Sequence, residues 1–271
     1  MHSTPSRRPP PRQWARRLGE KIVGTLDEQT VIVTGGAGSL GRAYCLALAD
    51  EGANVVVADL ADISPVVSEI TAFHGTAIGL EVDISEEPSV DRMVAAALQA
   101  FGRIDVLVNN AAFFKTVTAG PFEDIPVEEW DRVMAVNVRG AWLCSRAVVP
   151  TMRDQGGGRI INISSNTVWK GVPGFLHYVT SKSAILGFTR GLAREVGKDG
   201  ITVNTVAPDY IPDRILLDRY LGHDEAVVAQ RSLPRTQTPD DVVGTIIFLA
   251  GPGAAFITGQ SFLVNGGSHF Q

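Results

Sequence analysis

The chain has 271 residues, 45% of them hydrophobic, enough to bury a sizeable core as one large α/β domain or two small ones. Its net charge of -5, with no basic stripe through the body of the chain, argues against nucleic-acid binding. Cys45 and Cys144 lie in helical patterns without C-x-x-C spacing, the histidines are scattered, and no apolar run reaches the ~18 residues of a membrane span. A disulfide framework, a metal cluster and a transmembrane anchor are therefore not expected, and the protein reads as cytoplasmic.

Residues 1–25 read as a basic, mostly disordered extension. Arg7, Arg8, Arg12, Arg16, Arg17 and Lys21 against Glu20 give its first 21 residues a charge of +5 and leave -10 on the remainder. The stretch is rich in Pro and Arg and lacks the apolar run of a signal peptide; a short helix is expected around Trp14 to Ile22. From 26 to 271, apolar runs recur at Thr30–Thr34, Asn54–Ala58, Ala77–Val82, Ile104–Val108, Arg159–Ile163, Ile201–Val206 and Ser261–Val264. Helix-length segments rich in Ala, Leu, Glu and Arg separate them. The runs are nearly continuous hydrophobics rather than alternating, the pattern of a parallel sheet covered on both faces. A single doubly wound α/β domain is predicted, Rossmann-type, with about seven strands and helices on both faces. Pro126, ahead of Glu128 and Glu129, suits the start of a long helix ending near Pro150. Asp209 to Arg235 breaks the rhythm and reads as a mobile segment and substrate lid.

VIVTGGAGSLGRAYCLALA reads as strand, glycine-rich turn and helix. Gly35, Gly38 and Gly41, with Ser39 and Leu40 between them, permit a tight turn and close approach of a pyrophosphate to the free N–H groups at the helix start. Asp59 follows eighteen residues beyond Gly41, at the end of NVVVAD. A carboxylate there accepts hydrogen bonds from the adenosine ribose hydroxyls and repels a 2′-phosphate; the bland alternative is an Asp that caps the following loop. With Leu60 next in the chain, NAD is favoured over NADP.

Tyr178 and Lys182 in YVTSK fall on one face of a helix at i and i+4, with Ser165 thirteen residues upstream. Together they bring a phenol, an ammonium and a hydroxyl to one carbonyl oxygen. Moving a tyrosine from a pKa of about 10 to neutrality takes about 4 kcal/mol. An ammonium a few ångströms away supplies roughly that at an effective dielectric of about 20. Lys182 is thus expected to favour the Tyr178 phenolate. Ser164 is the neighbouring candidate for the hydroxyl, and the interval to Tyr178 selects Ser165.

These motifs together resemble the single-domain branch of the short-chain dehydrogenase/reductase family, and the likeness runs from Thr30 to Gly267. It includes Asp83 and Ile84 after the third strand, which the resemblance assigns to the adenine. It includes NNAA at Asn109 to Ala112, placing Asn110, Ala111 and Ala112 beside the cofactor. Asn137 in the long helix, NISS at Asn162 to Ser165, VNTVAP at Val203 to Pro208 and ITGQSFLVNGG near the end complete it. The resemblance implies that Asn137 orders a water leading from Lys182 to solvent and that Lys182 holds the nicotinamide ribose. It adds Leu60, Pro208 and Ile211 to the cofactor contacts, and it implies a homo-oligomer, a tetramer or dimer. Three positions depart from the pattern. Ser39 stands at the usual middle glycine, with Gly38 one place early. Asp209 replaces the glycine after Pro208, and Asp213 stands where a Thr often meets the cofactor. A carboxylate beside a pyrophosphate is electrostatically awkward.

The resemblance implies an NAD-dependent oxidoreductase, with Tyr178 exchanging a proton, Ser165 stabilising charge on the substrate oxygen, and hydride passing to or from the nicotinamide. Phe113, Phe114, Val168, Trp169, Phe175, Leu176 and Tyr210 are expected either to line a pocket for a small apolar, even aromatic, alcohol or carbonyl compound, or to pack in the core or between subunits. Lys115, Lys170 and Arg214 are available to an anionic group but show no clamp spacing. The stretch around YVTSK is similar to NAD-dependent dehydrogenases of aromatic secondary alcohols and to pyridoxal dehydrogenase-like members. A carbonyl reductase and a noncatalytic NAD-binding regulator, the latter supported only by Asp209 and Asp213, are the competing readings.

Overall fold

The computed structural model describes residues 24–114, 116, 117, 119–212 and 223–270; nearly all of the N-terminal extension, Lys115, Asp213 and Arg214 lie outside them. The strands are β1 (Thr30–Thr34), β2 (Asn54–Asp59), β3 (Thr76–Glu81), β4 (Val106–Asn109), β5 (Gly158–Ile163), β6 (Ile201–Pro208) and β7 (Ser261–Val264). They form one parallel sheet in the order β3-β2-β1-β4-β5-β6-β7. Each falls on an expected run. The largest shift is at β4, where Ile104 and Asp105 stand ahead of the strand. Asp105 is held there by the start of β1: its carboxylate accepts from Thr30 N at 2.9 Å, and its own N–H donates to the Thr30 carbonyl at 2.9 Å.

The helices are α1 (Ser39–Asp50), α2 (Ser64–Ala72), α3 (Glu87–Phe101), α4 (Val127–Met134), α5 (Ala141–Asp154), α6 (Thr167–Lys170), α7 (Leu176–Val196), α8 (His223–Ala229) and α9 (Asp240–Ala250). A π-helical turn, Ala135–Gly140, joins α4 to α5, so the long helix expected from Pro126 is one continuous run. It does not end near Pro150: that residue sits inside α5, exposed, and the helix continues to Asp154. On the solvent side the carbonyl left unpaired by a proline has water to meet, so the helix tolerates it.

Successive strand residues point to opposite faces, and both faces are covered. Val31, Val33, Val55, Val57, Val106 and Val108 pack with Tyr44 and Leu48 of α1, Ile70 of α2 and Ile246 of α9. Ile32, Val56, Leu107 and Ile160 pack on the other side with Met93 of α3, Val148 and Met152 of α5 and Val196 of α7. The unbroken apolar strands are explained by these two cores. Both cysteines lie inside them, and burial pushes the Cys144 thiol up to about 12 and the Cys45 thiol higher still.

Leu107 lies at the centre of the sheet with no exposed surface. Leu107→Ala is expected to cost about 2–5 kcal/mol through lost burial and a residual cavity. Urea unfolding should show it as a lower midpoint at unchanged slope.

Candidate active site

Strand order reverses between β1 and β4, so the chain leaves their C-terminal ends in opposite directions and opens a crevice there. Side chains pin its edges. Thr34 Oγ1 accepts from the N–H of Asn110 at 3.0 Å and of Ala111 at 3.1 Å and donates to the Val108 carbonyl. Asn110 Nδ2 donates to the carbonyls of Thr34 at 2.9 Å and Gly35 at 3.1 Å. A cleft of about 1030 Å³ runs from this crevice along the ends of the strands.

The turn from Gly35 to Gly41 has no room for a side chain at either end. A Cβ on Gly41 would lie 2.0 Å from the Gly35 carbonyl oxygen, and one on Gly35, whose φ is +67°, would lie 2.8 Å from Ala111 Cα. Gly38 is the residue ahead of α1, and no side chain caps the helix, which leaves its first N–H groups available to an anion. Asp59 at the end of β2 reaches the same turn. Its Oδ2 accepts from Ala37 N at 2.9 Å and its Oδ1 from Ala61 N at 3.0 Å. The loop-capping alternative is therefore realised; Asp59 also lines the cleft, and each carboxylate oxygen has a second lone pair beyond that bond. Leu60, Asp83, Ile84, Asn110, Ala111, Ala112, Pro208 and Ile211 line the same cleft. Asp83 is partly occupied locally, its Oδ1 accepting from Ser85 N at 2.9 Å and Ser85 Oγ at 2.6 Å. Bare glycines against the backbone, an uncapped helix start and a carboxylate at the strand end suit a dinucleotide.

Farther along, α7 carries Tyr178 and Lys182 on one face, both buried. The Ser165 hydroxyl hydrogen-bonds the Tyr178 phenol and accepts from Thr167 N at 3.3 Å. The Ser164 hydroxyl instead donates to the Lys182 carbonyl at 2.8 Å, bracing α7 against β5. Asn137, in the π-helical turn, accepts from Phe113 N at 2.7 Å and donates to Ser181 Oγ at 3.0 Å and to the Phe113 carbonyl at 3.4 Å. Its side chain thus ties three chain segments together one residue from Lys182.

The expected electrostatic effect of Lys182 on Tyr178 is not met in the chain alone. Burial pushes the Tyr178 phenol up to about 12, opposed only by the Ser165 hydrogen bond. Burial also pushes the Lys182 ammonium down to about 8; the ammonium donates to the Ile163 carbonyl at 2.8 Å and stands 5.8 Å from the centre of the Tyr178 ring. Desolvation of both groups outweighs their coupling.

A family profile described as enoyl-(acyl carrier protein) reductase matches residues 35–269. A 3-oxoacyl-[acyl-carrier-protein] reductase of Synechocystis sp. is 39% identical over 248 residues, 89% of this chain and 97% of the relative. A (2S)-[(R)-hydroxy(phenyl)methyl]succinyl-CoA dehydrogenase subunit of Thauera aromatica is 35% identical over 244 residues, 89% and 97% of the two chains. Among solved structures, a candidate short-chain alcohol dehydrogenase from Sinorhizobium meliloti 1021 superposes with a TM-score of 0.85 at 30% identity, over 92% of this chain and 98% of that one. The chain belongs to the short-chain dehydrogenase/reductase family. It is an oxidoreductase of a family that binds a nicotinamide cofactor.

Beside Tyr178, Phe113, Phe114, Trp169, Phe175 and Tyr210 line the cavity, the first of the two placements open to them from sequence. The Phe114 ring lies 4.4 Å from that of Tyr178 and 6.1 Å from that of Phe175, centre to centre. Val168 and Leu176 do not line it. Leu176 is 45% exposed because it lies two positions before Tyr178, on the opposite side of α7. Val168 sits between Thr167 and Trp169, both of which face the cleft. Thr116, Val172, Pro173, Val227, Gln230 and His269 also line it, and sequence reading missed them. They come from four separate segments whose meeting no local pattern announces.

Asp209 is not the isolated carboxylate that its place after Pro208 suggests. Its side chain is paired with Lys170 Nζ at 2.9 Å and Arg231 Nε at 3.1 Å, and it accepts from Asn166 Nδ2 and Ser268 Oγ. Burial alone would raise its pKa, but the hydrogen bonds from Lys170 and Asn166 and the Lys170 charge hold it below the ordinary carboxylate value. The expected repulsion is thereby answered by two cations. Of the expected lid, residues 213–222 lie outside the described residues, and both described flanks are anchored in this cluster through Asp209 and Arg231.

The depressed pKa of Lys182 has a sign that can be read. Between about 8 and the ordinary 10.5 the unfolded chain holds a proton that the folded chain has lost, so this residue adds stability as pH rises through that window. The unfolding free energy of the wild type is expected to climb relative to that of Lys182→Met between those pH values. Denaturation series at several pH values check it, and parallel curves would refute it.

Proposed function

We propose that this dehydrogenase/reductase interconverts an alcohol and its ketone or aldehyde on a small, largely apolar, aromatic-bearing molecule, with NAD as the partner. The observation that carries the reading is the buried Tyr178 phenol paired with the half-buried Ser165 hydroxyl beside the Phe114 ring, in a cleft continuous with the Gly35–Gly41 turn. A hydroxyl and a phenol converging on one point suit a single oxygen atom. The aromatic walls suit a flat apolar body. One relative is named as the dehydrogenase of a phenyl-bearing hydroxy acyl-CoA, which supports that choice.

When bound, the nicotinamide supplies or accepts the hydride. Gly35, Gly38, Ser39, Leu40 and Gly41 would hold its pyrophosphate, Asp59 the adenosine ribose, with Leu60, Asp83 and Ile84 around the adenine. Asn110, Ala111, Ala112, Pro208 and Ile211 would complete the cofactor wall. Asp59 favours NAD because a 2′-phosphate would meet its charge; Leu60 beside it offers no base, and Arg42 at the start of α1 is paired with Glu69. In reduction, Tyr178 donates the proton to the substrate oxygen. Its high pKa in the cofactor-free chain keeps it in the donating form throughout the neutral range. Ser165 donates a hydrogen bond to the same oxygen and stabilises the charge that develops there. Lys182, held by the Ile163 carbonyl, would hold the nicotinamide ribose and return a proton to Tyr178. Asn137 fixes the loop at Phe113 and the turn at Ser181, and so the positions of Tyr178 and Lys182.

The reductive direction is the second reading. It is supported by the protonated Tyr178 and by relatives named for 3-oxoacyl reduction, among them one from Staphylococcus epidermidis. The noncatalytic regulator loses much of its support, since Asp209 is neutralised by its neighbours. A cytoplasmic homo-oligomer, tetrameric by the family resemblance, belongs to the same proposal.

Tyr178→Phe is expected to lower kcat by about 10²–10⁴-fold, the range for loss of a positioned acid–base group, with NAD affinity kept. Turnover with a panel of aryl alcohols and ketones checks it, and unchanged kcat would remove Tyr178 from the chemistry. Asp59→Asn is expected to weaken NAD while improving NADP, narrowing the ratio of their kcat/KM by about tenfold, on the order of the 1.4 kcal/mol in one charge-assisted hydrogen bond. A ratio that does not move would refute the role given to Asp59.

A further inference from the structure

The Asp209 cluster carries more charge than it needs to neutralise itself. Among the described residues it holds one carboxylate and two cations, Lys170 and Arg231. All three are largely buried: the side chains of Asp209, Arg231 and Lys170 are 5%, 2% and 15% exposed. Arg231 faces inward, its Nε on Asp209 and its two terminal nitrogens on the carbonyls of Arg235 at 2.9 Å and Tyr210 at 2.8 Å. Lys170 Nζ meets both Asp209 oxygens, at 2.9 and 3.2 Å, and Arg231 meets one of them, so the two cations share a single carboxylate and the three groups together carry one positive charge. Lys170 and Asp209 are the charged members that border the cleft. A surplus of one positive charge is thus presented to the cavity through Lys170, whose ammonium keeps a donor beyond the two spent on Asp209.

The position of Lys170 gives that charge a direction. It is the last residue of α6, five residues after Ser165, with Lys170 N donating to the Asn166 carbonyl. Both residues line the cleft, Ser165 ahead of α6 and Lys170 at its far end. Gln230, Ser268 and His269 line the same cavity. The cleft is therefore aromatic beside Tyr178 and polar with a net positive charge toward Lys170.

We propose that Lys170, held by Asp209 and Arg231, is a specificity-determining residue that selects substrates carrying a carboxylate beyond the reacting carbon. This rests on the alcohol–carbonyl reading and narrows it from apolar molecules in general to aryl hydroxy acids and aryl keto acids. Asp209 and Arg231 are positioning residues: they keep the ammonium aimed and uncancelled.

The test is calorimetric binding to the protein saturated with NADH, which reads the charge preference with or without turnover. The probes are phenylglyoxylate, 4-oxo-4-phenylbutanoate and 5-oxo-5-phenylpentanoate, each beside its methyl ester. At least one acid is expected to bind about tenfold tighter than its ester, a preference that shrinks as salt is raised. Lys170→Gln should bring that pair within about twofold, and Lys170→Arg should keep the preference, with the Kd for NADH unchanged in both. The proposal is overturned if no acid binds, if acids and esters bind alike, or if Lys170→Gln weakens both members of a pair equally, as a merely structural role would. It is equally overturned if Lys170→Gln weakens NADH instead, which would give the charge to the cofactor. An acid that binds through Lys170 yet is not reduced supports the charge assignment and counts against the proposed reaction.

Discussion

Asn110 donates to Thr34 from both its backbone and its side chain across the ends of β1 and β4, and the placement of the functional groups depends on that junction. They tie together two strands whose onward chains diverge, so the crevice between them has fixed walls. Gly35 and Gly41 then pass so close to the junction that a side chain on either would meet backbone. The turn at one end of the cleft is therefore a consequence of strand order plus two missing Cβ atoms. A second polar set continues the bracing inside the sheet: Asn109 donates to Asn162 at 2.8 Å, and Asn162 to Thr189 of α7 at 2.9 Å. That chain of buried amides fixes α7 against β4 and β5, and α7 carries Tyr178 and Lys182. Buried polar groups of this kind cost stability unless they are satisfied, and satisfied they select one register.

Burial is the dominant electrostatic influence on the acid–base pair. It moves Tyr178 and Lys182 in opposite directions, each toward its neutral form, because a low-dielectric setting disfavours both charges. A pair of opposite charges at close range would reverse this, but the Lys182 ammonium is directed to the Ile163 carbonyl. The chain alone holds a protonated phenol. An additional cation in the cleft would shift the balance toward phenolate, whereas a neutral occupant would leave it, and proton transfer in the two reaction directions makes opposite demands.

Much of the fold was legible because its strands are buried on both faces. Val31–Val33, Val55–Val57 and Val106–Val108 are apolar without alternation, and the sheet between two helical layers is the structure that uses them so. Tyr178, Lys182, Asp59 and the glycine turn were legible for a different reason: their chemistry depends on short spacings within a single strand, turn or helix. Residues whose position depends on tertiary closure were not. Leu176 stands in the right segment but on the wrong side of α7, and the exact helical phase decides it. Gln230 and His269 reach the cleft from distant segments, with nothing in their neighbours to mark them. The strength expected of Lys182 on Tyr178 was overestimated because spacing reports proximity and says nothing of desolvation.

Asp209 is the most instructive difference. Read alone, a carboxylate in place of glycine is a liability. In the folded chain it is one of three residues, with Lys170 39 positions before it and Arg231 22 positions after it. A buried charge left without a partner costs about 3–5 kcal/mol, so Arg231 and Lys170 both depend on Asp209, and Asp209 on at least one of them. Their presence together in one chain is thus a single departure written at three sites. A glycine at 209 would leave two buried cations facing each other, and an uncharged residue at 170 would leave Asp209 and Arg231 as a closed neutral pair. Only the full set leaves a surplus charge while keeping Asp209 paired, and of the two members that border the cleft Lys170 is the more exposed.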